Sequence, residues 1–147
     1  MRNVAIVGVG QSKFGNRYDV RLDELAWEAA SEALKDANLT AKDMEFLVVG
    51  CAGRWSAESL PAAICSEYCG TLPKGSMRVE AACATSSAAI AAAYNFVASG
   101  YVDIVLVLGV EKMYESYSKL YLELKEKAQL VAENREKTLE EVHIRMQ

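Results

Sequence analysis

The chain has 147 residues, of which 52% are hydrophobic and 24% charged, which is enough apolar material for one compact core and too little length for two. Its formal net charge of −4, with no long lysine or arginine run, excludes a phosphate-tracking surface, so nucleic acid is not an expected partner. No stretch approaches the roughly 20 apolar residues of a membrane span, and the apolar start breaks at glycines before it resembles a secretion signal. The expected compartment is the cytoplasm, with no membrane partner.

In chain order, "NVAIVGVG" (3–10) is a β-branched run closed by Gly8 and Gly10, and it predicts a strand buried on both faces. Over 22–37, "LDELAWEAASEALKDA" sets Leu22, Leu25, Ala26, Ala29, Ala33 and Leu34 at helical spacing, with Asn38 as the stop. A second strand is predicted at 44–53 ("MEFLVVGCAG"), a second helix at 58–70, a third strand at 76–82 ("SMRVEAA"), a third helix at about 84–99 and a fourth strand at 103–113 ("DIVLVLGVEKM"). This alternation predicts an α/β domain over 1–113, a mostly parallel sheet with helices on both faces.

Beyond Met113 the composition changes. Residues 114–147 contain no glycine or proline, and Tyr117, Tyr121, Leu124, Ala128, Val131, Leu139, Val142 and Met146 recur at steps of three, four or eight. That spacing predicts a second unit, a long C-terminal amphipathic helix whose apolar stripe docks on the domain or on another copy. Glu123 with Lys127 and Glu133 with Lys137 stand in the favourable i,i+4 order.

The glycine cluster "GVGQSKFG" fails as a dinucleotide fingerprint. Lys13 occupies the third glycine position, and the helix begins only near Leu22. The four cysteines are Cys51, Cys65, Cys69 and Cys83. Cys65 and Cys69 share a helical face, but the only histidine, His143, lies far away in the tail. They read as buried small hydrophobes, and no metal site is expected.

Cys83 stands apart. It is predicted at the carboxyl end of a parallel strand, where open α/β sheets place their sites, and it opens a helix whose unpaired amides favour a thiolate. Ala81, Ala82 and Ala84 let the backbone pack closely around it. These features fit a nucleophile, and they also fit a small residue filling a tight corner.

Four segments in order, "VAIVGVGQSKFG", "RLDELAWEAASEALKDANL", "VEAACATSSAAIAAAYNFVASG" and "DIVLVLGVEKM", resemble the N-terminal half of the thiolase superfamily, in particular the archaeal and sterol-carrier-type acetyl-CoA C-acetyltransferases. The resemblance runs over about residues 2–113, and "GRW" (53–55) falls in a loop where relatives carry similar residues. It implies half of a thiolase-like fold with sheet order 3-2-1-4. It also implies acyl transfer between coenzyme A thioesters, with Cys83 as the catalytic, acyl-accepting residue, acyl-CoA as substrate and no bound cofactor.

In thiolases the catalytic histidine, a second cysteine and an oxyanion-hole glycine come from a C-terminal half, and most coenzyme A contacts come from an inserted region after the fourth strand. In that place this sequence has the amphipathic helix, and His143 sits in no family motif. The expectation is a truncated, half-length acyltransferase that is inactive alone or needs a separate thiolase C-terminal half. The alternative is a non-catalytic interaction or oligomerisation module, and a third reading is a thioesterase using Cys83. The resemblance further implies a homodimer through strand 76–82, the tail helix or both. One departure is local: relatives read Cys-x-Ser-Gly, whereas this chain reads Cys83-Ala84-Thr85-Ser86.

Overall fold

A computed structural model describes residues 1–53, 58–113 and 126–135. Arg54 and Trp55 of the "GRW" loop, His143, and the tail apart from 126–135 lie outside the described residues. The elements are α1 (Leu22–Asp36), β1 (Phe46–Gly50), α2 (Pro61–Tyr68), β2 (Gly75–Val79), α3 (Thr85–Ser99) and β3 (Val105–Gly109), with single 3-10 turns at Ala41–Asp43 and Ala82–Ala84.

Local chemistry sets most of these boundaries. The Arg21 amide donates to the Glu24 carboxylate at 2.7 Å, which satisfies an orphan donor where α1 starts. The helix ends at Asn38, whose φ of +53 is a conformation asparagine tolerates. Pro61 opens α2, where its missing N–H costs nothing. Gly100, at φ +79, closes α3.

The three strands are parallel in the order β2-β1-β3, with Phe46–Gly50 paired to Gly75–Val79 on one side and to Val105–Gly109 on the other. Alternation along β1 builds two cores. Leu47 and Val49 join Leu106 and Leu108 under α1 and α2. Val48 joins Ala89 and Ala93 of α3, with Met77, Val79, Val105 and Val107 packed around them. Leu47, Val48 and Val49 are all 0% exposed, and burying each such side chain stabilises the fold by about 1.5–3 kcal/mol.

The expected order 3-2-1-4 is corrected here. Residues 3–10 form no strand, and the strands of 46–50 and 105–109 pair directly, so no place exists between them for the N-terminal run. That run instead lies extended along α1. A β-carbon on Gly8 would fall 2.3 Å from the Ala33 carbonyl oxygen, and one on Gly10 2.2 Å from that of Ala29. The glycines therefore serve a close approach to an alanine stripe on the helix. Carboxylates of Asp36 and Glu32 accept from the amides of Val9 (3.0 Å) and Gln11 (2.8 Å), and Arg2 donates its amide to the Ala98 carbonyl and pairs with Asp103. Ile6 remains 79% exposed, so the expected burial on both faces is also corrected.

Residues 126–135 are helical, and Leu130 and Val131 are exposed. The stretch of the tail that is described thus shows no docking of its apolar side chains on the α/β domain. Among the described residues no helix is long and apolar enough to cross a membrane.

Candidate active site

The carboxyl ends of the three strands form one rim, and Cys83 stands on it. From Val79 at the end of β2 the chain passes through Glu80 and Ala81 into the 3-10 turn Ala82–Ala84, and α3 proper starts at Thr85. Cys83 therefore sits in the tight turn that feeds α3, two residues ahead of its first α-helical residue. Ala82 carries φ +48, a left-handed conformation that costs a non-glycine residue on the order of 1–3 kcal/mol and persists only where neighbours enforce it.

Four hydrogen bonds enforce it. The Thr85 hydroxyl accepts from the Ala81 amide at 2.9 Å and donates to the Ala82 carbonyl at 2.7 Å. The Ala82 amide donates to the Glu80 carboxylate at 2.7 Å. The Ala84 amide closes the turn on the Ala81 carbonyl at 2.9 Å. Thr85 is buried, so its two bonds are shielded from competing water.

Two glycines set the height of this turn above the sheet. A β-carbon on Gly50, the last residue of β1, would lie 3.2 Å from both the Thr85 carbonyl oxygen and the Ala89 β-carbon. One on Gly109, the last residue of β3, would lie 2.4 Å from the Ser86 hydroxyl. Ser86 therefore directs its side chain toward Gly109 and finds space because that residue has none.

All four cysteines are free thiols, but their surroundings divide them. Cys51, Cys65 and Cys69 are buried, and Cys83 is exposed. Burial pushes the Cys51 thiol up to about 11, with the Glu111 carboxylate adding to the effect. Burial likewise pushes Cys65 up to about 12, with Cys69 and Asp23 adding to the effect, and Cys69 up to about 11, with Asp23 adding. At neutral pH these three are protonated core residues, as their sequence context predicts. Among the described residues no three His, Cys, Asp or Glu side chains gather into a metal-binding group.

The rim holds further polar side chains that sequence reading passed over. Glu111 accepts from the Ala52 amide at 2.8 Å and faces the Cys51 sulfur at 3.8 Å. Arg78 donates to the carbonyls of Cys51 (2.9 Å) and Ala52 (3.1 Å). Lys112 is buried and donates to the Val20 carbonyl, tying the exit of β3 to the start of α1. In the sequence Thr85 is only one residue of the run after Cys83, and nothing there pairs Gly109 with Ser86 or Glu111 with Ala52.

A cysteine on a tight strand-to-helix turn, at the carboxyl rim of a parallel sheet with helices on both faces, defines an open α/β protein of the kind that carries a nucleophile at such a corner. The chain belongs to the thiolase family: the family described as "Thiolase, N-terminal domain" matches residues 4–146, a span that runs past residue 113 into the tail. The acetyl-CoA acetyltransferase of Methanothermobacter thermautotrophicus is 40% identical over 115 residues, covering 77% of this chain and 30% of the relative. That of Methanocaldococcus jannaschii is 44% identical over 115 residues, covering 77% and 29%. Among solved structures, acetyl-CoA acetyltransferase from Syntrophomonas wolfei superposes with a TM-score of 0.59 at 28% identity, covering 69% of this chain and 27% of that one. The chain thus spans about 30% of the length of the curated relatives it matches.

Proposed function

We propose that this chain carries the acyl-accepting cysteine of a thiolase-type acyltransferase acting on coenzyme A thioesters. Cys83, as thiolate, attacks the carbonyl carbon of an acyl-CoA. A new carbon–sulfur bond forms, the bond to the coenzyme A sulfur breaks, and that sulfur leaves as a thiolate that takes up a proton. The carbanion of a second acyl-CoA then attacks the acyl carbon, forming a carbon–carbon bond and returning the electron pair to the Cys83 sulfur. In the reverse direction the Cys83 thiolate attacks the β-carbonyl of a β-ketoacyl-CoA, and the carbon–carbon bond breaks to release the acyl-CoA carbanion, which takes up a proton. Coenzyme A then attacks the acyl carbon and returns the electron pair to the Cys83 sulfur.

The observation that carries this reading is the contrast among the thiols. The one exposed thiol stands on a braced 3-10 turn, next to the left-handed Ala82, at the sheet rim, while the other three are buried and held protonated. The names of the relatives supply the acyl-CoA chemistry. The described residues around the turn offer no histidine base, so proton transfer depends on groups outside them, from the same polypeptide or from a partner.

The outer side of α3 favours a second α/β half as the source. Ile90 and Tyr94 are about half exposed on a helix that is apolar nearly all round, a composition typical of helices covered on both sides. A half that covered α3 would lie next to Cys83 at the start of the same helix. Self-association through the outer edge of β2 is a further proposal, supported by the exposure of that edge strand, and sedimentation against concentration tests it. Four free thiols accord with a reducing, cytoplasmic setting.

Incubation with acetyl-CoA followed by peptide mass spectrometry tests the central reading. One acetyl group on Cys83, absent from Cys83→Ala, is the expected result. Sluggish and equal modification of all four thiols, by acetyl-CoA and by iodoacetamide alike, would instead support a non-catalytic interaction module.

A further inference from the structure

The chain leaving β1 crosses the rim as Cys51, Ala52 and Gly53, and both flanking strands hold it. On the β2 side, the Arg78 guanidinium takes the carbonyls of Cys51 and Ala52 at 2.9 and 3.1 Å. The Cys51 amide donates to the carbonyl of Val79, four residues ahead of Cys83, at 3.2 Å. On the β3 side, Glu111 takes the Ala52 amide at 2.8 Å and faces the Cys51 thiol at 3.8 Å. Successive peptide groups are thus gripped by a cation on their oxygens and an anion on a hydrogen, and charge-assisted bonds of this kind are about twice as strong as neutral ones.

Gly53 completes the arrangement. It adopts φ +73 directly beneath the guanidinium, where a β-carbon would fall 1.7 Å from Arg78 Nη2. Only glycine both accepts that φ and leaves the arginine seated. The Glu111 carboxylate also opposes ionisation of Cys51, so the thiol stays a donor toward it.

We infer that Glu111 and Arg78 are positioning residues, a pair of opposite charges that fixes residues 51–53 on the rim that also carries Cys83, so that an incoming thioester meets a preformed wall. Neither residue touches the reacting atoms in this assignment. Both act through the backbone of Cys51 and Ala52. The inference rests on the reading of Cys83 as acyl acceptor.

Amide hydrogen exchange and acetylation, measured on the full chain, test it together. In Glu111→Ala the Ala52 amide exchanges at least about 10-fold faster, because its acceptor is gone. Glu111→Gln, which keeps a carbonyl oxygen in that place, stays near the wild-type rate. Acetylation of Cys83 by acetyl-CoA slows about 10- to 100-fold in Glu111→Ala and recovers in Glu111→Gln, a range typical of misplacement without loss of a reacting group. Alkylation of Cys83 by iodoacetamide, which needs no wall, keeps its rate.

Should Glu111→Ala fail to fold, Gly53→Ala tests the Arg78 side of the pair instead: its β-carbon displaces the guanidinium while the Ala52 amide keeps its Glu111 acceptor, so acetylation slows with Ala52 exchange little changed. Wild-type acetylation that neither substitution changes would overturn the positioning role alone, as would an Ala52 amide that already exchanges freely in the wild type. A wild-type chain that acetyl-CoA never labels would overturn the acyl-acceptor reading, and the positioning role with it, whatever Ala52 does.

Discussion

The Cys83 corner and the pocket of thiols around Cys65 use the same side chain for opposite ends. At the corner, backbone strain and a braced turn hold a sulfur out in water. In the core beneath α1 and α2, three sulfurs pack with Leu47, Val49 and Leu106, and burial suppresses their ionisation. The difference teaches that exposure, and not the kind of junction, separates these thiols: Cys83 and Cys51 both follow the end of a strand, yet only Cys83 is exposed, while Cys65 and Cys69 lie on or at the end of a helix whose face is already covered.

The largest expected effect removes the contrast at its exposed end. Cys83→Ala abolishes acetyl transfer to the protein, while Cys51→Ala leaves labelling of Cys83 in place, both read by peptide mass spectrometry. Next comes Leu47→Ala, which opens a cavity in the core that holds the buried thiols and costs about 2–5 kcal/mol. Urea unfolding measures the loss, and Cys51, Cys65 and Cys69 then alkylate faster through more frequent opening while Cys83 does not.

Alkaline pH erodes the contrast from the buried side. The folded-state thiol values of about 11 to 12 lie above the ordinary 9.0, so their contribution to stability is whole below pH 9 and falls as pH climbs toward 11. Each thiol contributes about 1 kcal/mol of loss per pH unit in that window. Urea midpoints at pH 8, 9 and 10 should fall slightly over the first step and steeply over the second. The smallest effect belongs to Thr85→Val, which keeps shape and removes the two hydroxyl bonds that brace Ala82. It costs about 1–2 kcal/mol and slows Cys83 acetylation several-fold, with the buried thiols unmoved.

Much of the fold was legible because its signals are local. The apolar spacing of α1, its stop at Asn38, the extent of α3 and the division of the thiols all follow from residues within a few positions of one another. The N-terminal run shows where locality ends. "VAIVGVG" and "FLVVG" have nearly the same composition, yet the second is the sheet's central strand and the first lies exposed along α1. Strand character is a matter of available partners, and β1 already has one on each edge. The order carried over by resemblance failed at the same point. Within the site, the corner alone leaves Cys83 either a nucleophile or a small residue in a tight turn, and the resemblance singles it out. Thr85's double bond, the seat of Ser86 on Gly109 and the grip of Glu111 and Arg78 depend on which strand ends stand side by side, and no short stretch encodes that.

The bare backbones at Gly50 and Gly109 have a consequence for how this corner tolerates change. Two absent methyl-sized groups are what let the head of α3 settle onto the strand tips, so the sulfur's altitude is set by atoms the protein does not possess. An alanine at either spot leaves the thiol chemically untouched and yet tilts or lifts the platform beneath it, so the position of residue 83 rests on these glycines as much as on its own turn.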